Sequence, residues 1–497
     1  MTEREIKLAL PGRFTMPALA LDGDALDVAA MPDQQLRATY YDTADLRMAR
    51  HGVTLRYRTG EAETPRWTLK LPVGARGSEL EREELNFEAS RREPPAELRS
   101  LLTAYTRGEP LTAVATLRTR RRRIHLVAAD ETPIAEVADD EVSVIEGRRV
   151  VSRFRELEVE ALADGVDLQV LGDQLRTAGA TESEPIPKVV RALGSRATAP
   201  SEIAPKAIAA DGRLADVVAA SIADALMRIV RHDPQARLGQ PEGVHQIRVA
   251  MRRLRSDLRT LGDAVDPQWR EEMEPRLRAV ADAAADARDA DVMSQRMRGE
   301  LDDKTTALAP LFETLERQRI AARERLMATL DGDAYVTLLN DLVAATVDPP
   351  AGPADAPVAE ALGPLVLGAW DRLQGRADEL EPDSPVDDFH RTRIAVKRAR
   401  YAAELASRSL EGKAAEGAAA LGERLAALQD LLGDVQDAAV AEGLIRDTLS
   451  ARGAGARYAF EAGRLVERLQ SRADESMRGF LEDWPETRRK RWRKWAM

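Results

Sequence analysis

Residues 244–259 read Val-His-Gln-Ile-Arg-Val-Ala-Met-Arg-Arg-Leu-Arg-Ser-Asp-Leu-Arg, and residues 389–404 read Phe-His-Arg-Thr-Arg-Ile-Ala-Val-Lys-Arg-Ala-Arg-Tyr-Ala-Ala-Glu. The second stretch repeats a histidine and four cations of the first in the same register. The matched pairs are His245 and His390, Arg248 and Arg393, Arg252 and Lys397, Arg253 and Arg398, and Arg255 and Arg400. This pattern indicates an internal duplication, and hence two related helical units in the C-terminal part of the chain.

Each copy predicts a helix with one strongly basic face. Positions three, seven and ten residues after the histidine lie on the same side of a helix, so each copy lines up an imidazole with three cations. In the first copy, Ile247, Met251 and Leu254 supply a neighbouring apolar face. Because like charges at this spacing repel, two such stripes favour binding of a polyanion. The alternative is a solvated basic face that is paired with acidic neighbours.

Length and composition limit the class of protein. A chain of 497 residues with 44% apolar content predicts two to four domains. It has no cysteine, which excludes disulfides and thiolate metal sites and fits a reducing compartment. We find no signal-peptide core and no apolar run long enough to span a membrane, which predicts a cytoplasmic protein. A net charge of −11 makes a nucleic-acid partner improbable.

The first 194 residues have a different periodicity from the rest. Segments such as 3–8, 54–58, 67–71 and 156–160 alternate charged and apolar residues, which is typical of strands in an antiparallel sheet or barrel. Closing that sheet would gather the charged faces into a lumen. Residues 195–212 are rich in small residues and proline and are predicted to be a linker.

Beyond the linker, the apolar period is that of helices. We predict a first helical bundle at 213–345, a proline-rich and alanine-rich linker at 346–357, a second bundle at 358–482, and a basic aromatic tail at 483–497. Within the second bundle, 417–432 and 438–452 are predicted to be separate helices. The tail is predicted to be a solvated end, or alternatively to add attraction to anions or a membrane surface. The predicted fold class is therefore α+β with several domains: a closed antiparallel β-barrel with flanking helices, followed by an all-α part made of two tandem bundles.

The charged strands of the N-terminal domain suggest phosphate chemistry. Its crowded carboxylates favour a hard cation, and an oxygen-only ligand set suits Mg²⁺ or Mn²⁺. Basic residues on neighbouring strands can bind phosphate oxygens. The alternation leaves open which of Arg118, Arg120 and Arg122 face the lumen. The acidic candidates are Glu3, Glu5, Glu156, Glu158 and Glu160.

Residues 1–195 resemble a CYTH domain, which is a triphosphate tunnel metalloenzyme. The resemblance is carried by Glu3-x-Glu5-x-Lys7, Tyr40-Tyr41-Asp42-Thr43, Gly52-Val-Thr-Leu-Arg56-Tyr-Arg58, Thr68-Leu-Lys70 and Glu156-x-Glu158-x-Glu160, in that order. Residues 210–482, with the two histidine-arginine helices, resemble a CHAD domain.

The resemblance implies an eight-stranded tunnel that hydrolyses a triphosphate with a divalent metal, joined to a module that binds inorganic polyphosphate. The five acidic candidates would hold the metal. The residues expected to bind the triphosphate are Lys7, Arg56, Arg58, Lys70, Arg120 and Lys188. Polyphosphate would bind to the five repeated pairs named above. Alternatives are a tunnel enzyme that acts on thiamine triphosphate or ATP, and a polyphosphate-binding protein without activity. Association with polyphosphate granules is a further expectation.

Overall fold

The structure is a computed structural model that describes residues 2–11, 13–21, 23–60, 65–76, 79–88, 93–128, 130–183, 186–203, 207–209, 211–299, 306–452 and 455–497. The chain divides into two compact units, Met1–Glu202 and Ile203–Met497. The boundary between the units falls inside the predicted linker.

The N-terminal unit is built around one antiparallel sheet. The strands of that sheet are β1 (Thr2–Ala9), β4 (Asp27–Asp42), β5 (Thr54–Thr59), β6 (Arg66–Arg76), β7 (Glu79–Glu88), β8 (Thr112–Val127), β9 (Pro133–Glu146), β10 (Arg149–Ala161) and β11 (Thr181–Glu182). The short strands β2 (Ala20–Leu21) and β3 (Asp24–Ala25) pair with each other in a separate sheet. The hydrogen-bonded order β1-β7-β6-β5-β4-β8-β9-β10 returns to β1, because β10 also pairs with β1. The predicted closed barrel is therefore confirmed.

The alternation of β1 separates the lumen of the barrel from its outer surface. Glu5 and Lys7 point inward, while the alternate residues Ile6 and Leu8 are fully buried on the outside. Those two apolar side chains belong to a core cluster that includes Leu168 of a covering helix. The helices of this unit are α1 (Arg47–Arg50), α2 (Ala96–Leu101), α3 (Thr103–Thr106), α4 (Leu168–Thr177) and α5 (Lys188–Leu193). Burial of apolar surface beneath helices therefore leaves the charged face of the sheet for the lumen.

The C-terminal unit is helical throughout its described part, as predicted. Its helices are α6 (Leu214–Arg237), α7 (Pro241–Leu261), α8 (Pro267–Gly299), α9 (Ala309–Asp331), α10 (Asp333–Val347), α11 (Val358–Ala377), α12 (Val386–Ser409), α13 (Gly412–Arg452) and α14 (Ala456–Thr487). Consecutive helices pack within α6–α9 and within α11–α14, and the two repeat helices, α7 and α12, pack against each other. In the described helices, none is long and apolar enough to cross a membrane.

Two features of this unit differ from the sequence-based expectation. The pattern predicted separate helices at 417–432 and 438–452, but α13 runs unbroken through Gly433. The end of the chain was expected to be solvated or to attract anions. Instead, α14 continues to Thr487, and a 3₁₀ helix, Lys490–Ala496, places the guanidinium of Arg493 4.2 Å from the centroid of the Trp370 ring.

Candidate functional site

The lumen of the barrel holds a cavity of about 250 Å³ with a strongly charged lining. Among the described residues, its basic lining side chains are Lys7, Arg56, Arg58, Arg66, Lys70, Arg82, Arg121, Arg123 and Lys188, and its acidic ones are Glu5, Glu84, Glu136, Glu158 and Glu160. Two further carboxylates, Asp140 and Glu156, are almost fully buried and contact the lining cation Lys188. Positive charge therefore exceeds negative charge in the described lumen, which suits an anionic ligand.

Glu158 on β10 is the centre of an ion-pair network. Its carboxylate accepts contacts from Lys7 Nζ at 2.7 Å, from Lys188 Nζ at 2.6 Å and from Arg121 Nη2 at 2.6 Å. Burial by itself would raise the pKa of Glu158, but Lys188, Lys7 and Arg121 outweigh burial and hold that pKa well below its usual range. Glu158 is therefore a charged anchor for three cations, and a poor proton acceptor at neutral pH.

Asp140 on β9 extends the network behind Glu158. Its carboxylate lies 2.9 Å from Lys188 Nζ and 2.7 Å from Arg121 Nη2, and it has no exposed surface. Burial by itself would lower the pKa of Lys188. The neighbouring carboxylates of Asp140, Glu156 and Glu158 outweigh burial and raise that pKa well above its ordinary value. Asp140 thus fixes the direction of two cations that line the cavity.

The opposite wall carries its own ion pairs. Arg82 of β7 donates to Glu5, and Lys70 Nζ lies 2.9 Å from Glu84 Oε2. Burial would raise the pKa of Glu84, but Lys70 and Arg56 lower it to about 2. The wall is therefore charged across the physiological pH range, and its cations are held in place before any ligand arrives.

The structure brings most of the predicted tunnel residues together. Eight of them line the same cavity: Glu5, Lys7, Arg56, Arg58, Lys70, Glu158, Glu160 and Lys188. Glu156 lies just behind the wall, where it is 2% exposed. The side chain of Glu3 falls outside the described residues, although its backbone pairs with Arg82 on β7.

The expectation that Arg120 faces the tunnel is wrong. Its side chain is 51% exposed, and its Nη2 atom lies 3.6 Å from Asp33 Oδ2 on the outer surface. Because side chains alternate along β8, the neighbouring residues Arg121 and Arg123 face inward instead. Arg118 and Arg122 lie on the same face of β8 as Arg120, and they do not line the lumen.

The motif at residues 40–43 contributes one residue to the cavity that was not among the predicted site residues. Tyr40 lines the cavity, and although burial opposes it, the charges of Arg56 and Lys188 lower the pKa of its phenol. Asp42, in the same motif, does not reach the lumen. Its carboxylate accepts hydrogen bonds from the backbone amides of Thr43, Met48 and Ala49 and so caps the start of α1.

The donor set of the tunnel fits a hard divalent cation. All the acidic groups are carboxylates, and Glu156 Oε1 is buried and accepts no hydrogen bond from the described residues, although Lys188 Nζ lies 2.9 Å away. Among the described residues, no three acidic or histidine side chains are already grouped around a metal position. Lysine and arginine nitrogens lie against those oxygens instead, so metal binding requires some of these ion pairs to open.

In the C-terminal unit, the packing of α7 on α12 gathers four repeated cations into one group. We call Arg248, Arg252, Arg393 and Lys397 the basic cluster. Arg248 Nη1 lies 2.8 Å from Asp289 Oδ1, and the guanidinium of Arg252 lies 5.5 Å from the centroid of the Tyr401 ring. The two stripes therefore meet where α7 packs on α12.

Lys397 is the most strongly perturbed member of the basic cluster. Burial, followed by the charges of Arg393, Arg252 and Arg248, lowers its pKa from 10.5 to about 7. Among the described residues, no carboxylate oxygen lies within 4 Å of its amine. Asp289 offsets the repulsion only in part.

The other repeated residues lie outside the basic cluster. Arg253 and Arg400 both donate to Glu404, and Arg255 donates to Glu274 at 2.9 Å. His390 pairs with Gln436. Arg398 is exposed. Burial, followed by the charge of Arg288, lowers the pKa of His245, which keeps this ring neutral.

We expect replacement of Lys397 by methionine to stabilise the free protein. The folded state binds the proton of Lys397 less tightly than the unfolded state does, so the charged lysine lowers the free energy of unfolding. This destabilisation is complete below pH 7, decreases as the pH rises toward 10.5, and is absent above pH 10.5. A gain of about 1 kcal/mol would raise Tm by roughly 2–4 °C at pH 6. The gain should vanish near pH 10.5. Lys413→Met, at an exposed lysine, is the matched control. An equal or lower Tm for Lys397→Met at pH 6 would contradict the expected repulsion.

Comparison with known proteins agrees with this two-part organisation. The CYTH domain model matches residues 1–191 and the CHAD domain model matches residues 220–446. The uncharacterized protein Rv2226 of Mycobacterium tuberculosis is 30% identical over 461 residues, which cover 86% of this chain and 85% of that protein.

Two solved structures are similar to parts of the chain. The CHAD domain from the plant Ricinus communis has 26% identity and a TM-score of 0.48, over 56% of this chain and 95% of that one. A Hippeastrum protein, described as a candidate adenylyl cyclase with a dominant triphosphatase activity, has 16% identity and a TM-score of 0.26, over 38% of this chain and 94% of that one. With the family matches and the relative taken together, this chain belongs to the family of proteins that join a CYTH domain to a CHAD domain.

Proposed function

We propose that the barrel hydrolyses inorganic triphosphate and that the basic cluster of the C-terminal unit binds inorganic polyphosphate. The observation that carries the first half is the closed lumen in which fixed cations from several strands converge. Such a site can neutralise several phosphate groups in a row, and charge neutralisation with positioning supplies most of the catalysis in phosphoryl transfer.

The residues of the tunnel divide into two roles in this proposal. Arg56, Arg58 and Lys70 lie on the adjacent strands β5 and β6 and would bind phosphate oxygens, the arginines in a bidentate manner. Lys7 and Lys188 lie against Glu158 and would bind oxygens at the other wall. A phosphate chain held between the walls would present its terminal phosphorus in one orientation to water.

Mg²⁺ or Mn²⁺ would neutralise additional phosphate charge when bound, with Glu5, Glu156 and Glu158 as its proposed holders and Glu3 and Glu160 as further candidates. The choice of these residues rests on their carboxylates and on the burial of Glu156, whose Oε1 atom lies 2.9 Å from Lys188 Nζ in an ion pair that a bound metal would replace. Chelation with EDTA should abolish phosphate release, and either metal should restore it.

The polyphosphate half of the proposal rests on the basic cluster. Four cations that repel one another gain free energy when a polyanion neutralises them together, and the acidic net charge of −11 confines such binding to local basic surfaces. Polyphosphate would then associate the protein with polyphosphate granules in the cytoplasm. Nucleic acid is a weaker fit, because the aromatic residues of the two repeats, Phe389 and Tyr401, are buried and offer no exposed ring on which bases could stack.

The substrate assay that tests the first half compares three triphosphates. Phosphate release would be measured from tripolyphosphate, ATP and thiamine triphosphate, each with Mg²⁺ or Mn²⁺. We expect tripolyphosphate to have the largest kcat/KM, because the described lining is dominated by charged side chains and has Tyr40 as its single aromatic residue. Preference for either of the other two would assign that substrate instead, and no release from any of them would favour a protein that only binds phosphate chains.

We expect Arg121→Ala to reduce kcat/KM for tripolyphosphate and Arg120→Ala to leave it near wild type. Arg121 is an inward cation, and loss of one charge-assisted contact costs about 1.5–3 kcal/mol, or roughly 10-fold to 100-fold. Arg120 differs only in strand parity, which makes it a close control. Arg121→Lys would be used if the alanine variant does not fold. Equal kinetics for the two alanine variants would show that this register of β8 is wrong.

A further inference from the structure

Lys397 differs from the arginines around it in one chemical respect. A guanidinium does not lose its proton in proteins, so the amine is the one member of the basic cluster that can become neutral. The packing of α7 on α12 places cations beside it: Arg393 lies one turn earlier on α12, and the guanidinium of Arg252 from α7 lies 5.5 Å from the centroid of the Tyr401 ring, one turn after Lys397. Arg248 from α7 and Asp289 from α8 also act on its charge. Asp437 of α13 acts on Arg393 from the far side. Net repulsion therefore favours a neutral, nucleophilic amine.

We propose that Lys397 is a site of covalent acylation by acyl phosphates whose phosphoryl group binds to Arg248, Arg252 and Arg393. The inference rests on the anion binding proposed above for the basic cluster, but it assigns a chemical reaction to one of its members. Acyl phosphates suit the site because they combine a phosphate dianion with an electrophilic carbonyl carbon next to it.

The reaction balances without a further reagent. The neutral amine of Lys397 attacks the carbonyl carbon, and a C–N bond forms while the bond between that carbon and the bridging phosphate oxygen breaks. Inorganic phosphate leaves and takes up the proton that the nitrogen loses. The product is an amide, so the basic cluster loses the one charge that could be restored by protonation.

The other described lysines lack this combination. Lys7 and Lys188 are held by carboxylates, which outweigh burial and raise their pKa values. Lys70 pairs with Glu84 at 2.9 Å. Lys413, Lys490 and Lys494 are exposed. We therefore expect selectivity for Lys397, and we expect acylation to weaken polyphosphate binding by removing a cation and adding bulk.

The test uses the full chain and acetyl phosphate at pH 7, with acetylation at each lysine followed over time by mass spectrometry of peptides. We expect the initial rate at Lys397 to exceed that at Lys413 by about tenfold or more. That rate should reach half of its maximum near pH 7, because the pKa of Lys397 is lowered to about 7. Inorganic phosphate should slow the reaction at Lys397 and leave the rate at Lys413 unchanged.

Acetic anhydride, which carries no phosphate, separates nucleophilicity from phosphate recognition. The ratio of rates at Lys397 and Lys413 should be larger with acetyl phosphate than with the anhydride, and Arg252→Ala should reduce only the acetyl phosphate ratio. Equal rates at the two lysines, or equal ratios for the two reagents, would overturn the proposal. Polyphosphate binding is measured separately on unmodified protein. Selective acylation without polyphosphate binding would support this inference while contradicting the polyphosphate half of the proposed function.

Discussion

Replacement of Glu158 by glutamine is expected to reduce kcat for tripolyphosphate by about 10²–10³-fold, the loss that follows removal of one preorganised electrostatic group. Glutamine keeps the shape of the side chain but not its charge. Lys7, Lys188 and Arg121 would lose the anion that positions them, because all three nitrogens lie within 2.7 Å of its oxygens. The loss should appear in the steady-state rate of phosphate release at saturating Mg²⁺.

Glu141→Gln is the matched control for this variant. Glu141 lies on the adjacent strand β9, but its side chain is 48% exposed and pairs with Arg122 outside the lumen. We expect this variant to keep wild-type kinetics, and both variants to show cooperative thermal unfolding. Near wild-type turnover in Glu158→Gln would mean that the barrel lumen is not the reaction site.

Replacement of the whole basic cluster by alanine is expected to lower affinity for long-chain polyphosphate by at least about a hundredfold. By analogy with nucleic-acid polyanions, each cation that neutralises a phosphate contributes roughly 0.7–0.9 to the slope of log affinity against log salt. Loss of Arg248, Arg252, Arg393 and Lys397 should therefore flatten that slope by roughly three. Titrations at several salt concentrations measure both quantities.

A control of equal charge separates local binding from net charge. Arg317, Arg372, Arg376 and Arg478 are exposed residues on α9, α11 and α14, and their joint replacement by alanine changes the formal charge by the same amount. We expect this control to keep most of the affinity and nearly all of the slope. If both fourfold variants, shown to be folded by circular dichroism, bind as wild type does, the basic cluster is only solvated helix surface.

The alternating strands of the barrel could be predicted because their two faces differ in chemistry. On β1, Glu5 and Lys7 are separated by Ile6 and followed by Leu8, so the apolar residues set the parity of the strand and identify the inward face. The same holds for Arg56 and Arg58 on β5. The repeated histidines likewise gave the register of α7 and α12, and the packing of these helices joined their basic faces.

The register of β8 could not be obtained in this way. Residues 120–123 are four consecutive arginines, so both faces of the strand look alike and the local sequence does not fix the parity. The parity follows from pairing with β9, where Arg121 lies opposite the buried Asp140. Asp140 lies on a different strand, so the inward direction of Arg121 depends on strand pairing and could not be predicted from the arginine run alone.

The continuity of α13 could not be predicted from the sequence for a different reason. Gly433 lowers helix propensity by about 1 kcal/mol relative to alanine, which favoured a break after Leu432. Leu432 and Val435 on either side are buried, however, and α13 packs along both α12 and α14. Tertiary packing therefore outweighs the local cost, and the helix continues.

The tunnel also has a consequence for which anions can enter it. Lys7, Lys70 and Lys188 already contact carboxylates of the same lumen. An incoming anion that binds these lysines therefore gains only the difference between the contacts that it makes and those that it breaks. One orthophosphate can replace only a few of these contacts, so its binding free energy is small. A chain of linked phosphates replaces several contacts but loses the translational freedom of only one molecule. The barrel should therefore select anions by the number of linked charged groups that they carry. An anion with too few such groups should compete poorly for the lumen even when it is abundant in the cell.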